Sequence, residues 1–541
     1  MSGDRCKASA MTQVEEPAAI KQPPCATATP PVGREEEPEL GHTHKAAGRQ
    51  AAMALLSCPS RHPSIYHLIF FSVYLLCASI LPILDGLELG GDGLYREILR
   101  DETVLRLKEL GKISDGEGYL ERTFLSPASI RATDVIINWM KDAGLTTWVD
   151  QMGNIHGRFE PANSTKDALL IGSHMDTVID AGMYDGSLGI ICAISALKVL
   201  KVTGKLQRLT RPVEVIAFSD EEGVRFQTTF LGSAAVAGTL PESILQVSDK
   251  SGTTVQDVLK LNSFEATSAS LGQVKYSPES VGSYVEVHIE QGPVLEALRY
   301  PLGVVKGIAG QTRLKVIVDG SQGHAGTVPM KLRRDPMVAA AELVLTLERL
   351  CKEPNKFLTY DEECGCFTEE SLAGLVCTVG ELLTWPSASN VIPGQVNFTA
   401  DIRAMDDKVR EAIVTSFSRL VLQKCDDRLV DCAVQHKHAA AATPCDAELT
   451  AKLERATRST LSMMKTTAAP GGVMPVPVPV LMSGAGHDAM AMARLTKVGM
   501  LFVRCRGGVS HSPEESVMDD DVWAAGLALV NFVDHNAVAE S

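Results

Sequence analysis

From about residue 94 onward, short apolar runs alternate with stretches of helical period. Ala128–Ala143 carries apolar residues at helical spacing. Leu169–Gly172 is a short apolar run, and a helical stretch follows from Gly186 to Leu200. Val213–Phe218 predicts another strand. Tyr284–Ile289 alternates, placing Tyr284, Glu286 and His288 on one face and Val285, Val287 and Ile289 on the other. The pattern then reads Thr312–Val318 (strand), Asp335–Leu350 (helix), Leu375–Gly380 (strand), Val396–Ala404 (strand), Lys408–Leu422 (helix) and Val430–Gln435 (strand). That β-α-β-β-α-β order predicts a ferredoxin-like α+β unit inserted in an α/β chain. Val498–Val503 predicts a buried strand and Val522–Val533 a closing helix. The expected divisions are a catalytic body over 95–300 and 441–541, with the inserted unit at 301–440. No internal repeat is visible, and the charged loop Lys352–Glu370 is expected on the surface.

A chain of 541 residues is too long for one compact core. A net charge of −15 argues against generic binding to nucleic acid or an anionic membrane. The 13 cysteines contain no CxxC, and Cys364 and Cys366 are their only close pair, so a zinc ribbon and a disulfide-dense scaffold are not expected. Residues 1–63 are rich in Pro and Ala, lack helical or strand period, and read as a disordered tail. Ser64–Leu84 contains no Asp, Glu, Lys or Arg over 21 residues, enough to cross a bilayer. Lys45, Arg49 and Arg61 precede it, and Asp85, Glu88 and Asp92 follow. The segment therefore reads as a signal or anchor that delivers the body to the lumen of the endoplasmic reticulum. The sequons at Asn163 and Asn397 are compatible with that fate.

Polar residues able to do chemistry cluster where strands end, the usual place for sites in open α/β sheets. His174 and Asp176 follow one strand, with Asp185 shortly after. Asp220, Glu221 and Glu222 follow the next. His288, Glu290 and Gln291 close the alternating strand, and Ser510, His511, Glu514 and Glu515 follow the last. Imidazole plus carboxylate without thiolate suits Mn²⁺ or Zn²⁺ in a hydrolytic site. Taken singly, each residue has a plainer explanation. His174 could be a satisfied core histidine, Asp185 and Asp488 helix caps, Glu221 and Glu222 a solvated pair, and His288 a group facing water. Their joint occurrence after four separate strands points to a dinuclear hydrolase.

The segments Gly172-Ser-His-Met-Asp-Thr177, Tyr184-Asp-Gly-Ser-Leu-Gly189, Phe218-Ser-Asp-Glu-Glu-Gly-Val-Arg-Phe226 and His288-Ile-Glu-Gln-Gly292 resemble the carbamoylase/allantoate amidohydrolase family of aminopeptidase-like metallohydrolases. Gly323-His-Ala-Gly326, Ser389-Asn-Val-Ile-Pro393, Asp401-Ile-Arg403, Ser483-Gly-Ala-Gly-His-Asp488 and Ser510-His-Ser-Pro-Glu514 match as well. Asp176-Thr-Val-Ile-Asp-Ala-Gly182 resembles the plant and algal branch that acts on allantoate. The resemblance implies an aminopeptidase-like domain with a mixed central sheet, and a ferredoxin-like inserted domain that dimerises. It implies two Mn²⁺ ions per subunit, with Zn²⁺ or another divalent ion as the alternative. His174 and His288 would hold one ion, Glu222 and His511 the other, and Asp185 both. Asp176 would fix the tautomer of His174, and Glu221 would be the general base. Gln291, His324, Asn390, Arg403, Gly486 and His487 would bind substrate. Arg403 would offer a bidentate fork to its carboxylate, and His324 would reach the partner subunit's site in a homodimer while stabilising the charge that develops on the carbonyl oxygen. The competing expectations are ureidoglycolate or an N-carbamoyl amino acid as substrate, a peptidase on the same scaffold, and a catalytically dead binding module.

Overall fold

A computed structural model describes residues 91–162, 164, 167–358, 367–466 and 477–536. The apolar run Ser64–Leu84, Asn163, Cys364 and Cys366 lie outside the described residues. Among the described residues no helix is long and apolar enough to cross a membrane.

Two sheets organise the body. The larger contains β1 (Thr146–Val149), β2 (Ile155–Phe159), β3 (Ala168–His174), β4 (Val213–Phe218), β5 (Val281–Ile289) and β6 (Leu302–Ile308). The chain then leaves it for β7 (Gly310–Asp319), β8 (Gly323–His324), β9 (Val376–Thr378), β10 (Leu382–Trp385), β11 (Val391–Ile392), β12 (Gln395–Ala404) and β13 (Asp431–Ala440). It returns through β14 (Thr443–Pro444), β15 (Val480–Ser483) and β16 (Lys497–Val503). The larger sheet runs β1-β2-β4-β3-β5-β16-β6-β14, with β15 also on β6. Its centre is parallel, β4 and β5 flanking β3 and β16 following β5, and its margins are antiparallel except for β15, which runs parallel to β6. The sheet is therefore mixed, as expected.

Strand alternation explains the two-sided core. Leu169, Ile171, Val285 and Val287 point into one cluster with helices α1 (Pro127–Asp142), α2 (Ser187–Val202) and α6 (Asp519–Asn536). Leu170, Ile216, Phe218 and Tyr284 point into another, with the chain between Phe226 and Val274. Helix α2 is buried on nearly every side, from Ser187 to Leu200, which accounts for its almost unbroken apolar sequence. Covering both faces of the sheet leaves the strand ends as the natural place for polar groups.

The smaller sheet is antiparallel, ordered β10-β12-β7-β13 with β9 on β12. Helices α3 (Pro336–Lys352) and α4 (Asp407–Arg428) cover one face around Leu314, Val316, Phe398, Ile402 and Phe417. The expected boundary at 301 moves to Gly310, because Leu302–Val305 pair with Leu501, Phe502 and their neighbours in the larger sheet. Helix α5 (Ala447–Thr466) follows the return to the larger unit. Two disulfides, Cys351–Cys377 and Cys425–Cys432, tie α3 to β9 and α4 to β13. Neither pair sits in a recognisable spacing motif, so nothing in the sequence signalled them.

Candidate metal centre and active-site cavity

A cavity of about 550 Å³ lies where β3, β4 and β5 end and is bounded opposite by the smaller sheet. His174, Asp185, Glu221, Glu222, His288, Gln291 and His511 line it from the larger unit. Arg403 lines it from the smaller one, and Gly486 from the loop after β15.

Asp185 sits at the centre. It is not the cap of α2: the N-cap is Gly186, and no side chain caps that helix. Gly186 has φ +63°, and a Cβ there would lie 2.4 Å from the His174 carbonyl oxygen, so the turn that presents Asp185 requires glycine. Oδ1 of Asp185 lies 3.0 Å from His288 Nε2 and 3.7 Å from His174 Nε2. Oδ2 lies 3.1 Å from His511 Nε2, which is itself 3.1 Å from Glu222 Oε1. Gln291 Nε2 also donates to Oδ2, at 2.9 Å. The two oxygens thus face two separate donor groups, as a bridging carboxylate would.

The histidine tautomers test whether cations fit. His174 Nδ1 is 3.1 Å from the Asp176 carbonyl oxygen, and His288 Nδ1 is 2.9 Å from that of Ile289. A carbonyl only accepts, so each ring places a proton on Nδ1 and aims Nε2 inward. The two Nε2 atoms approach to 3.4 Å beside Asp185 Oδ1. Two lone pairs and an anionic oxygen converging on one point require positive charge there, from a proton or a metal ion. His174, Asp185 and His288 form one potential ligand group, and Asp185, Glu222 and His511 another, with donor atoms within 4.8 Å in each. The residues present fit a pair of divalent cations.

Supporting contacts fix these groups. Asp176 accepts from the backbone N–H of Glu221 at 2.9 Å and of Glu222 at 3.1 Å, so it holds the carboxylate loop. Its carboxylate is 3.5 Å from His174 Nδ1, farther than its own carbonyl, which departs from the expected carboxylate–imidazole pair. Glu221 is buried, which pushes its carboxyl well above the ordinary range; His174 opposes the rise, and Glu222, Asp488 and Asp176 add to it. Glu290, by contrast, turns away and accepts from the backbone N–H groups of Val294 and Leu295.

Two supporting residues were given no role by the sequence. Glu515 Oε1 accepts from Tyr184 N at 2.8 Å and Asp185 N at 3.1 Å, orienting the turn. Its place after Ser510-His511 was the only signal. Arg122 is fully buried and donates to the Met175 carbonyl at 2.7 Å and to Ser187 Oγ at 3.2 Å. Burial lowers its pKa to about 10. Nothing in its sequence context marked it.

Four expected substrate residues stand elsewhere or are already engaged. His487 does not line the cavity: it is buried behind His288, ring centroids 4.4 Å apart, with Nε2 2.7 Å from Ser483 Oγ. The segment after β15 is held against β5, where the Ala489 N–H donates to Glu286 at 2.8 Å. His324 and Asn390 are exposed on the ribbon of β8 and β11 and do not line this chain's cavity. The Arg403 fork is occupied: Nε and Nη2 donate to Asp401 at 2.8 and 3.0 Å, and Nη1 to the Gly484 carbonyl at 2.7 Å. Asp401 lies two residues away on the same strand face, so it captures the fork first.

The fold and the groups converging on this cavity are those of a hydrolase. The chain belongs to the peptidase family M20/M25/M40, which it matches over residues 170–535. It is 89% identical over 484 residues to a protein of Oryza sativa subsp. japonica named probable allantoate deiminase, covering 90% of this chain and 97% of that one. It is 64% identical over 442 residues to allantoate deiminase of Arabidopsis thaliana, covering 82% and 83%. An amidase of the hydantoinase/carbamoylase family from Burkholderia multivorans shares the fold with a TM-score of 0.69 at 27% identity, covering 82% of this chain and 98% of that structure. The motif resemblance to the carbamoylase/allantoate amidohydrolase family is borne out.

Proposed function

We propose that this protein hydrolyses allantoate to ureidoglycine, ammonia and carbon dioxide in purine (ureide) catabolism. The observation carrying this reading is that relatives named allantoate deiminase match at 64% and 89% identity over most of the chain. The convergent His and carboxylate groups supply the matching chemistry. His174 and His288 would hold one divalent cation, Glu222 and His511 a second, and Asp185 both; Mn²⁺ is the proposed ion, and Zn²⁺ the alternative. Such cations polarise a carbonyl and acidify water. Glu221 takes the proton from the attacking water and returns it to the leaving nitrogen, a role its raised pKa suits. Gln291, Arg403 and Gly486 face the same space and position the substrate. His487 acts through His288, whose ring edge it meets.

The exposed His324 and Asn390 are assigned to the site of a partner copy in a homodimer, where His324 would stabilise charge on the carbonyl oxygen. The compartment is proposed to be the endoplasmic reticulum lumen. The apolar run Ser64–Leu84 and the two disulfides support it, since disulfides persist in oxidising compartments. A fluorescent fusion of residues 1–94 checks this: a cytosolic or plastid signal would overturn it. The function is tested by ammonia release from allantoate, ureidoglycolate and N-carbamoyl amino acids with purified protein and Mn²⁺. Allantoate should be turned over with the highest kcat/KM; preference for another ureido compound refutes the assignment.

A further inference from the structure

Five polar residues share the uncovered face of the smaller sheet. Arg313 on β7 stands opposite Asp401 on β12, Gln311 opposite Arg403, and His438 on β13 opposite Arg313. Directly opposed residues, and residues two apart on one strand, project from the same face. Leu314, Ala400 and Ile402 project from the other into the core. Gln311, Arg313, Arg403 and His438 therefore bound the catalytic cavity, facing the metal-binding residues.

Asp401 is shared. Its Oδ1 accepts Arg403 Nε at 2.8 Å; its Oδ2 accepts Arg403 Nη2 at 3.0 Å and Arg313 Nε at 3.1 Å. Two guanidiniums against one carboxylate leave one positive charge on the wall. The partners are uneven in what they have left to give. Arg403 has committed hydrogens from all three nitrogens, the third to Gly484. Arg313 has committed only Nε and, weakly, Nη2, to Gln311 Oε1 at 3.4 Å; its Nη1 makes no hydrogen bond among the described residues. Gln311 in turn donates to His438 Nε2 at 3.2 Å. That requires an unprotonated Nε2, and burial together with the Arg313 charge lowers the His438 pKa. A chain of bonds thus runs His438–Gln311–Arg313–Asp401–Arg403–Gly484, and its most available donors belong to Arg313, whose side chain is 53% exposed.

We propose that the substrate carboxylate is held by Arg313 and Arg403 together, that Arg313 is a specificity-determining residue, and that Asp401 is the positioning residue that sets the spacing of the pair. This rests on the acidic ureido substrate proposed above. A carboxylate has two oxygens, and Arg403, with three of its five N–H groups engaged, has one hydrogen left on each terminal nitrogen. Arg313 adds its Nη1, which is uncommitted among the described residues, from the neighbouring strand.

The test compares allantoate with its carboxamide analogue, in which the carboxylate becomes a neutral amide, by ammonia release from the full-length protein. In Arg313→Ala, KM for allantoate should rise about tenfold or more while kcat falls far less, since a charge-assisted bond is lost from binding. The ratio of kcat/KM for acid over amide should fall by a similar factor. Arg313→Lys should recover part of that ratio, because it restores charge without the guanidinium plane. Asp401→Asn should lower the ratio too, by releasing both arginines from register. Equal losses on acid and amide in Arg313→Ala and Arg313→Lys would make Arg313 merely structural and overturn the proposal; so would an unchanged allantoate KM. If the wild type ignores allantoate but hydrolyses another ureido acid, the substrate assignment fails. The same comparison on that acid and its amide then still decides the role of Arg313.

Discussion

Asp185 presents one oxygen to His288 and the other to His511, so the single negative charge they share cannot be replaced by a neutral amide. Asp185→Asn should abolish turnover and reduce bound metal, measured by elemental analysis. The adjacent pair Glu221 and Glu222 should separate by the same assay. Glu222, 3.1 Å from His511, should lose metal when changed to Gln. Glu221→Gln should keep metal yet lose about 10²–10⁴-fold in kcat, the usual range for a general base. The reverse pattern of metal loss would exchange their roles. These residues were legible because each follows a strand within a short motif. Arg122 and Glu515 were not, since they act on backbone groups of distant segments, such as the Met175 carbonyl and the Asp185 N–H. A third unread residue, His156, lies buried between Glu214, 2.8 Å from Nδ1, and Asp150, 3.1 Å from Nε2. Burial opposes its protonation, but the bonds to Asp150 and Glu214 outweigh burial and raise its pKa to about 9. A raised folded pKa contributes stability that is full below the ordinary value near 6.5 and is lost as pH rises through about 9. The wild-type melting temperature should therefore fall between pH 7 and 10. His156→Gln should be less stable at pH 7 and show a shallower slope; parallel slopes would dismiss the ion pair as the cause.

At the level of elements, the β-α-β-β-α-β order of the smaller unit could be read because its strands alternate and its helices have a clear period. Along β12, burial alternates at every residue. The junction between units could not be read. Leu302–Val318 continues through Ala309 and Gly310 with no Pro, Asn or Asp to mark a turn, although hydrogen bonding changes from one sheet to the other there. The smaller strands β8 and β11 are two residues each, too short for any period. The disulfides staple elements that the apolar core already joins. Cys351–Cys377 spans 26 residues and Cys425–Cys432 spans 7, so chain-entropy arguments give the first the larger effect, within the usual range of about 2–4 kcal/mol. Cys351→Ser should lower the melting temperature more than Cys432→Ser. Thiol labelling before reduction should spare all four paired cysteines. Labelling of Cys351 or Cys425 without reductant would show the bridges absent.

In the whole molecule, the cavity has walls from two separately cored units, and His324 belongs to neither wall of its own chain. If His324 serves a partner copy, mixing inactive Glu221→Gln with inactive His324→Ala subunits should restore activity, because each mixed dimer holds one complete site. Verified subunit exchange without rescue would remove His324 from that role. The junction also bears on how the chain reaches its native state. Thr443 pairs with Ile308 across antiparallel strands, so the chain enters and leaves the roughly 130-residue insert at neighbouring points. Before the insert is ordered, joining β6 to β14 means closing a loop of that length. Once it is ordered, its ends already lie together and the remaining loop is only a few residues. Loop-closure entropy makes the difference about 3 kcal/mol. The insert should therefore acquire protection first in pulsed hydrogen exchange, with β6, β14 and β16 following. The smaller unit would then be a folding template for the larger one: its early closure brings together two neighbouring strands that the sequence holds far apart.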